Sequence, residues 1–207
     1  IFVPTLAGTA MLAGCYKTPA IYVNVLGVFT NTPAIDAYRG AGRPEASYVI
    51  ERLVDIAGMR TGLGPIEIRR RNLIPASAMP YKTALNHTYD SGDFISTMEL
   101  AVEDSDWKGF KERAANSLNN NKLRGIGLST YIEACSGGPE EATIILEKDG
   151  NITLHIGTQS NGQGHETAYK QILCEFLGIA PEKMTVIQGD SDLIAFGAGT
   201  GGSRSVP

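Results

Sequence analysis

Positive charge is not in surplus here: 18 lysines and arginines stand against 22 aspartates and glutamates, for a net charge of −4. Polyanion binding rests on an excess of cations, so nucleic acid is excluded as an expected partner. Cysteine is scarce, with three in 207 residues. Cys15, Cys135 and Cys174 are far apart and odd in number, which argues against a disulfide framework and against a close-spaced zinc or iron–sulfur site. They read as reduced thiols of a cytoplasmic protein. Long apolar runs are missing too. The first sixteen residues are mostly apolar, but Pro4, Gly8 and Gly14 interrupt them and no cationic segment precedes them. They therefore read as neither a signal segment nor a membrane span, and no membrane partner is expected.

Histidine is equally sparse, at three residues. His155 falls in a strand pattern and reads as structural. His165 and Glu166 are neighbours at a helix start, where adjacent side chains diverge, and no further ligand is spaced to complete a metal site. No metal ligands are expected. No serine stands in a nucleophile elbow, which removes the usual hydrolase reading.

What remains is an ordinary globular composition, 43% hydrophobic and 19% charged, with length for one domain or two small ones. Residues 1–30 read as strands and short connections, with Ile21-Tyr22-Val23-Asn24-Val25 the clearest strand. After the turn Asn31-Thr32-Pro33, Pro44 opens a helix whose Ala46, Val49, Ile50, Leu53, Val54 and Ala57 keep helical spacing up to Gly62. A shorter helix is expected from Pro65 to just before Pro75. Its Arg69-Arg70-Arg71 reads as a solvated face or salt-bridge set. Residues 75–93 read as loop and residues 94–118 as helical. The Asn119-Asn120-Asn121 run closes that stretch and marks a boundary between two structural halves.

Beyond it the period falls to two. Strands are expected over 125–133, 142–147 and 152–156, the last two joined by a hairpin turn at Asp149-Gly150. A helix from His165 to Leu177, stopped by Gly178, and a strand over 184–188 follow. The fold class is α+β, mixed sheets with helices.

Three glycine-bearing loops carry what chemistry there is: Arg39-Gly40-Ala41-Gly42-Arg43, the run from Gln159 to Thr167, and the run from Gly197 to Ser205. Glycine lets backbone come close to a ligand. The second loop leads into a helix N-terminus, whose free N–H groups suit a phosphate or a pterin oxygen. Neither the dinucleotide fingerprint nor the phosphate-loop pattern is present, so a nucleotide-binding domain is disfavoured.

Together the loops resemble the molybdopterin-binding segments of the xanthine dehydrogenase and aldehyde oxidase family of molybdenum hydroxylases. Ala37-Tyr38-Arg39-Gly40-Ala41-Gly42-Arg43-Pro44-Glu45-Ala46 is similar to the form in carbon monoxide dehydrogenase-like large subunits. Glu67 to Pro75, Gly162-Gln163-Gly164-His165-Glu166-Thr167 and Thr200-Gly201-Gly202-Ser203-Arg204-Ser205 resemble the later segments, in the same order. The resemblance implies an internal piece of a large subunit. Residues 1–78 would end one molybdopterin-binding subdomain and residues 79–207 would begin a second.

It also implies oxidative hydroxylation with water as oxygen source, electrons leaving through iron–sulfur clusters to flavin. The implied cofactor is molybdopterin, in its cytosine dinucleotide form. Ala37, Tyr38 and Arg39 would lie beside the molybdenum, Arg39 in a catalytic position, and Ala41 would line the substrate pocket. Asn161, Gly162 and Gln163 would meet the pterin side, and Gly202, Ser203, Arg204 and Ser205 its pterin and phosphate end. Implied partners are an iron–sulfur small subunit, an FAD medium subunit and a small-molecule substrate, in a dimer of heterotrimers.

Two departures refine this. Carbon monoxide dehydrogenases place a copper-binding cysteine in the first loop, where this chain has Gly40, so an aldehyde or N-heterocycle is the expected substrate. Ala41 replaces the bulky aromatic of purine-oxidising relatives and leaves an open pocket. The family's general-base glutamate lies outside this chain, so these residues alone are expected to be inactive. The competing reading is a non-catalytic binding or assembly module. Such a module has no use for Arg39, Gln163 and Arg204 in all three loops.

Overall fold

The computed structural model describes residues 2–135 and 138–206; residues 1 and 207, at which the two expected subdomains begin and end, lie outside them. The chain divides into two compact units, Ile1–Glu133 and Ala134–Pro207.

The first unit is mainly helical. It opens with α1 (Phe2–Ala10), where the sequence pattern predicts strand. The helix packs closely against the turn before the next one: a Cβ on Gly8 would stand 2.7 Å from the Gly42 carbonyl oxygen, so this glycine lets a helix come close to another backbone. Residues 21–25 form no strand either, and Tyr22 is 91% exposed. Two expected helices are present. In α2 (Arg43–Thr61), Pro44 sits in the first turn and Gly62, at φ 73°, closes the helix by donating its N–H to Met59 O. Next comes α3 (Gly64–Asn72), with Pro65 in its first turn. Gly58 admits α3 against α2, because a Cβ there would lie 2.7 Å from Gly64 O.

Residues 75–93, expected as loop, hold only a short hairpin, β1 (Tyr81–Lys82) antiparallel to β2 (Thr88–Tyr89). The expected helix over 94–118 is broken into α4 (Phe94–Asp104) and α5 (Phe110–Asn119). Between them Asp106 adopts φ 45° and its carboxylate accepts the Gly109 N–H, which winds a tight turn instead of continuing the helix. Asp93 caps α4 by accepting the Ser96 N–H at 3.1 Å; the Ser96 side chain first, and this backbone bond second, hold its carboxyl below the usual range.

Cys15, Tyr16, Leu73 and Met98 form the core, with Ile50, Val54, Phe94 and Leu128 packed against it. Beside them lies a buried polar network. Arg69, with no exposed surface, donates from Nε (2.9 Å) and Nη2 (2.7 Å) to Glu51 Oε2, and from Nη1 to Asp55 Oδ1 (2.8 Å). Glu51 also accepts from the Tyr16 hydroxyl (2.5 Å), the Thr130 N–H (3.0 Å) and the Thr130 hydroxyl (2.9 Å). The segment 125–133, expected as a strand, has no ladder partner and is held through Thr130 and Leu128 instead. The expected salt-bridge set holds at Arg70 and Arg71, which reach Glu67, and Arg70 also reaches Glu99.

The second unit is a three-stranded mixed sheet with one helix. Strands β3 (Ala142–Leu146) and β4 (Ile152–Ile156) pair antiparallel around Asp149-Gly150, as the sequence predicts. From β4 the chain crosses through α6 (His165–Leu177) to β5 (Met184–Gln188), which lies parallel to β4. Gly164 and Gly178, both in the left-handed region, open and close α6. Ile152, Leu154 and Ile156 are buried while Thr153 and His155 are half-buried, a period-two pattern, and Tyr169, Leu173 and Val186 complete this core.

Candidate functional site

A parallel β–α–β unit delivers its loops at the carboxyl ends of the strands, the side of an open sheet where ligands bind. Here the loop after β4 begins at Gly157 and runs into α6, and the loop after β5 begins at Gly189. The second and third glycine loops of the sequence are therefore brought together.

The bonding between them is specific. Thr200 donates its N–H to Gln159 Oε1 (3.1 Å) and its hydroxyl to Gln159 O (2.5 Å). Thr200 Oγ1 and Ser205 Oγ stand 3.1 Å apart, and the Tyr169 hydroxyl donates to Ser205 O at 3.1 Å. The same Tyr169 oxygen lies 2.6 Å from Thr158 Oγ1, in the loop just after β4. Within the second loop, Ser160 N–H donates to Gln188 Oε1 (3.1 Å), Gly164 N–H to Ser160 Oγ (3.2 Å) and Asn161 N–H to Gln163 Oε1 (2.5 Å).

Of the expected binding residues in this unit, Asn161, Gly162, Gln163, Gly202 and Ser203 are exposed, and Arg204 and Ser205 are half-buried. Nothing lies within 4 Å of where a Cβ would stand on Gly162, Gly164 or Gly201, so backbone there is open to a ligand. Arg204 Nη2 donates to Glu140 Oε2 at 2.5 Å. His165 is buried with its ring tilted against Tyr169 at 5.8 Å, and its Nδ1 has no partner.

The first loop belongs to the first unit. Ala37, Tyr38 and Arg39 are exposed, and Ala37 N–H donates to Asp36 Oδ1 at 2.7 Å. Tyr38 O accepts the Ala41 N–H at 2.6 Å, turning the chain through Gly40 (φ 85°), Ala41 (φ 47°) and Gly42 (φ 91°). Gly42 is obligatory, since a Cβ would stand 1.8 Å from Pro4 O. Arg43 Nε lies 3.0 Å from Glu133 Oε1 without the alignment of a hydrogen bond, so this is an ion pair by distance alone, and its Nη1 donates weakly to Gly40 O at 3.4 Å.

Sequence reasoning missed Glu140, Thr158, Gln159 and Tyr169 as holders of the loops. Tyr169 is legible only as a helix position facing the core, and Glu140 stands in no motif. Among the described residues no group of three or more His, Cys, Asp or Glu side chains is placed to hold a metal ion, and no helix is long and apolar enough to cross a membrane.

A parallel β–α–β unit with two cross-bonded glycine loops at its carboxyl edge has the form of a ligand-binding α/β domain. Residues 100–207 match the family model described as molybdopterin cofactor-binding domain, and residues 1–73 match a second model of the same description. The chain belongs to the molybdopterin cofactor-binding domains. It is 36% identical to the carbon monoxide dehydrogenase large chain of Hydrogenophaga pseudoflava, over 94% of this chain and 26% of that protein. It is 33% identical to the 6-hydroxypseudooxynicotine dehydrogenase complex subunit gamma of Paenarthrobacter nicotinovorans, over 93% and 25%. Quinoline 2-oxidoreductase of Pseudomonas putida 86 superposes with a TM-score of 0.89 at 31% identity, covering 98% of this chain and 27% of that one. The chain thus spans about a quarter of the length of the curated relatives it matches.

The residues present fit a molybdopterin. Such a group is rich in donors and acceptors, and the second unit offers open backbone at Gly162 and Gly201, an unspent Nδ1 on buried His165 and the half-buried guanidinium of Arg204.

Proposed function

We propose that this chain is the cofactor-cradling piece of a molybdopterin-dependent hydroxylase large subunit that oxidises an aldehyde or an N-heterocycle with water as oxygen source. The observation that carries this reading is the pair of Thr200 bonds to Gln159, which lock the two glycine loops edge to edge beside the start of α6. When bound, the cofactor supplies the two-electron redox centre. The chain's own residues bind, orient and shape.

In the second unit, Asn161, Gly162 and Gln163 meet the pterin, through the open backbone and the Gln163 amide. Gly202, Ser203, Arg204 and Ser205 hold its pterin and phosphate end. In the first unit, Ala37, Tyr38 and Arg39 bind beside the metal, with Arg39 orienting substrate by its exposed guanidinium, and Ala41 lines the pocket. The general-base glutamate comes from outside these 207 residues, which are inactive alone. The cofactor is the cytosine dinucleotide form. Residues 1–78 end one molybdopterin-binding subdomain and residues 79–207 begin the next. An iron–sulfur subunit and an FAD subunit take the electrons in a cytoplasmic dimer of heterotrimers.

Two points favour N-heterocycles over carbon monoxide. Gly40 has no side chain to bind copper, and two similar proteins carry names that specify quinoline and 6-hydroxypseudooxynicotine. The test uses the full-length enzyme in ¹⁸O-labelled water, with quinoline, an aromatic aldehyde and carbon monoxide as substrates. Labelled oxygen in the product of quinoline or the aldehyde is expected. Oxidation of carbon monoxide alone, or product oxygen without label, would overturn the reading.

A further inference from the structure

Glu140 precedes β3, in a stretch that no motif marks, yet it touches both sides of the loop junction. Its Oε2 takes the Arg204 Nη2 hydrogen at 2.5 Å, with side chains only 19% and 17% exposed. Its Oε1 is buried without a hydrogen-bond donor. That oxygen fills the place of two absent side chains: a Cβ on Gly157 would stand 2.3 Å from it, and a Cβ on Gly197 3.0 Å. The carboxylate is wedged on the seam between the loop after β4 and the loop after β5. Gly138 is the glycine nearest the guanidinium: a Cβ there would lie in ordinary contact, 3.4 Å from Arg204 Nη1.

A guanidinium is a planar fork, so fixing one nitrogen fixes the directions of the other donors. On its N-terminal side Arg204 follows Gly201, Gly202 and Ser203, where Gly202 and Ser203 both have positive φ and neither carries a side chain that packs it in place. On its other side Ser205 is tied by backbone and hydroxyl to Tyr169 and Thr200, and neither tie touches the guanidinium. Burying a carboxylate oxygen with no donor is costly, and the desolvation penalty of a buried ion pair offsets much of its attraction, so the pair adds little to stability. We infer that Glu140 is a positioning residue: it aims the guanidinium of Arg204 at the cofactor and holds the third loop in binding register. This rests on the molybdopterin reading proposed above.

The test uses the full-length holoenzyme with Glu140→Gln, Arg204→Lys and the double variant. Cofactor release is followed by the fluorescence of the oxidised free pterin after dilution, and the melting of the apoprotein by circular dichroism. Glu140→Gln keeps the shape and removes the charge. Release is expected to quicken about tenfold, the size of one charge-assisted hydrogen bond. Arg204→Lys should quicken it similarly, and the double variant no further, while the apoprotein of Arg204→Lys, which keeps both charges, melts as the wild type does. Unchanged release in Glu140→Gln, or effects that multiply in the double variant, would overturn the inference. Should Glu140→Gln not fold, Glu140→Asp retains the charge but withdraws it from Arg204. It should also quicken release, and wild-type release would count against the inference. A wild-type protein without pterin would overturn the functional reading as well, whereas a pterin-loaded wild type matched by Glu140→Gln overturns only this step.

Discussion

Gly157 and Gly197 meet backbone to backbone: a Cβ on Gly157 would stand 2.4 Å from the Cα of Gly197, and one on Gly197 would stand 2.5 Å from the Cα of Gly157. Neither adopts a left-handed φ. They are glycines because of what they touch. Alanine at either position forces the loops after β4 and β5 apart, and overpacking of this kind costs about 1–3 kcal/mol. Gly157→Ala and Gly197→Ala should each speed hydrogen exchange in the two loops and lower the cofactor content of the full-length enzyme. Slow exchange and full loading in both variants would contradict the contact.

Tyr169 ties three elements by one oxygen, which meets Thr158 Oγ1 and Ser205 O. Tyr169→Phe keeps the ring against Leu154 and Ile156 but leaves the buried Thr158 hydroxyl short of a partner. A loss of about 1–3 kcal/mol is expected in the local stability of the third loop. Hydrogen exchange at 200–205 reads it, and exchange as slow as in wild type would count against the assignment.

Arg69 and Glu51 form a buried pair joining α3 to α2, and Glu51 extends it to Tyr16 and Thr130. Removing one partner of such a pair strands the other charge, at about 3–5 kcal/mol. Arg69→Met should open α3 by that amount in native-state hydrogen exchange. Arg71→Met, which breaks only an exposed pair with Glu67, should change it by less than about 1 kcal/mol.

What the sequence made legible were the elements with local signals. Pro44 and Gly62 bracket α2, Gly178 ends α6, and Asp149-Gly150 turns the hairpin. The two missing strands share one cause. Ile21–Val25 and residues 125–133 alternate as strands do, but a strand forms only where another pairs with it, and neither finds a ladder partner among the described residues. At α1, Gly8 reads as an interruption until its contact with Gly42 is known. In the site, the glycines and the polar loop residues announced themselves. The residues that brace them did not, because Glu140 and Tyr169 act through partners 64 and 36 positions away.

Burial pushes the Cys15 thiol from 9.0 up to about 12, with Glu51 adding to it, and burial pushes the Tyr89 hydroxyl from 10.0 up to about 12. Both groups hold their protons more tightly folded than unfolded. Their contribution to stability is therefore complete below about pH 9 and is lost as pH rises toward about 12. The urea midpoint of the first unit should fall between about pH 8 and about pH 10.5, and Cys15→Ala should flatten part of that fall. A midpoint that rises over this range would have the wrong sign.

The central claim is that the second unit's loops hold a molybdopterin, and the direct measurement is molybdenum and pterin content of the purified full-length protein. About one of each per chain is expected, falling sharply in Gln163→Ala combined with Arg204→Ala. A well-folded wild-type protein carrying neither molybdenum nor pterin would contradict the account.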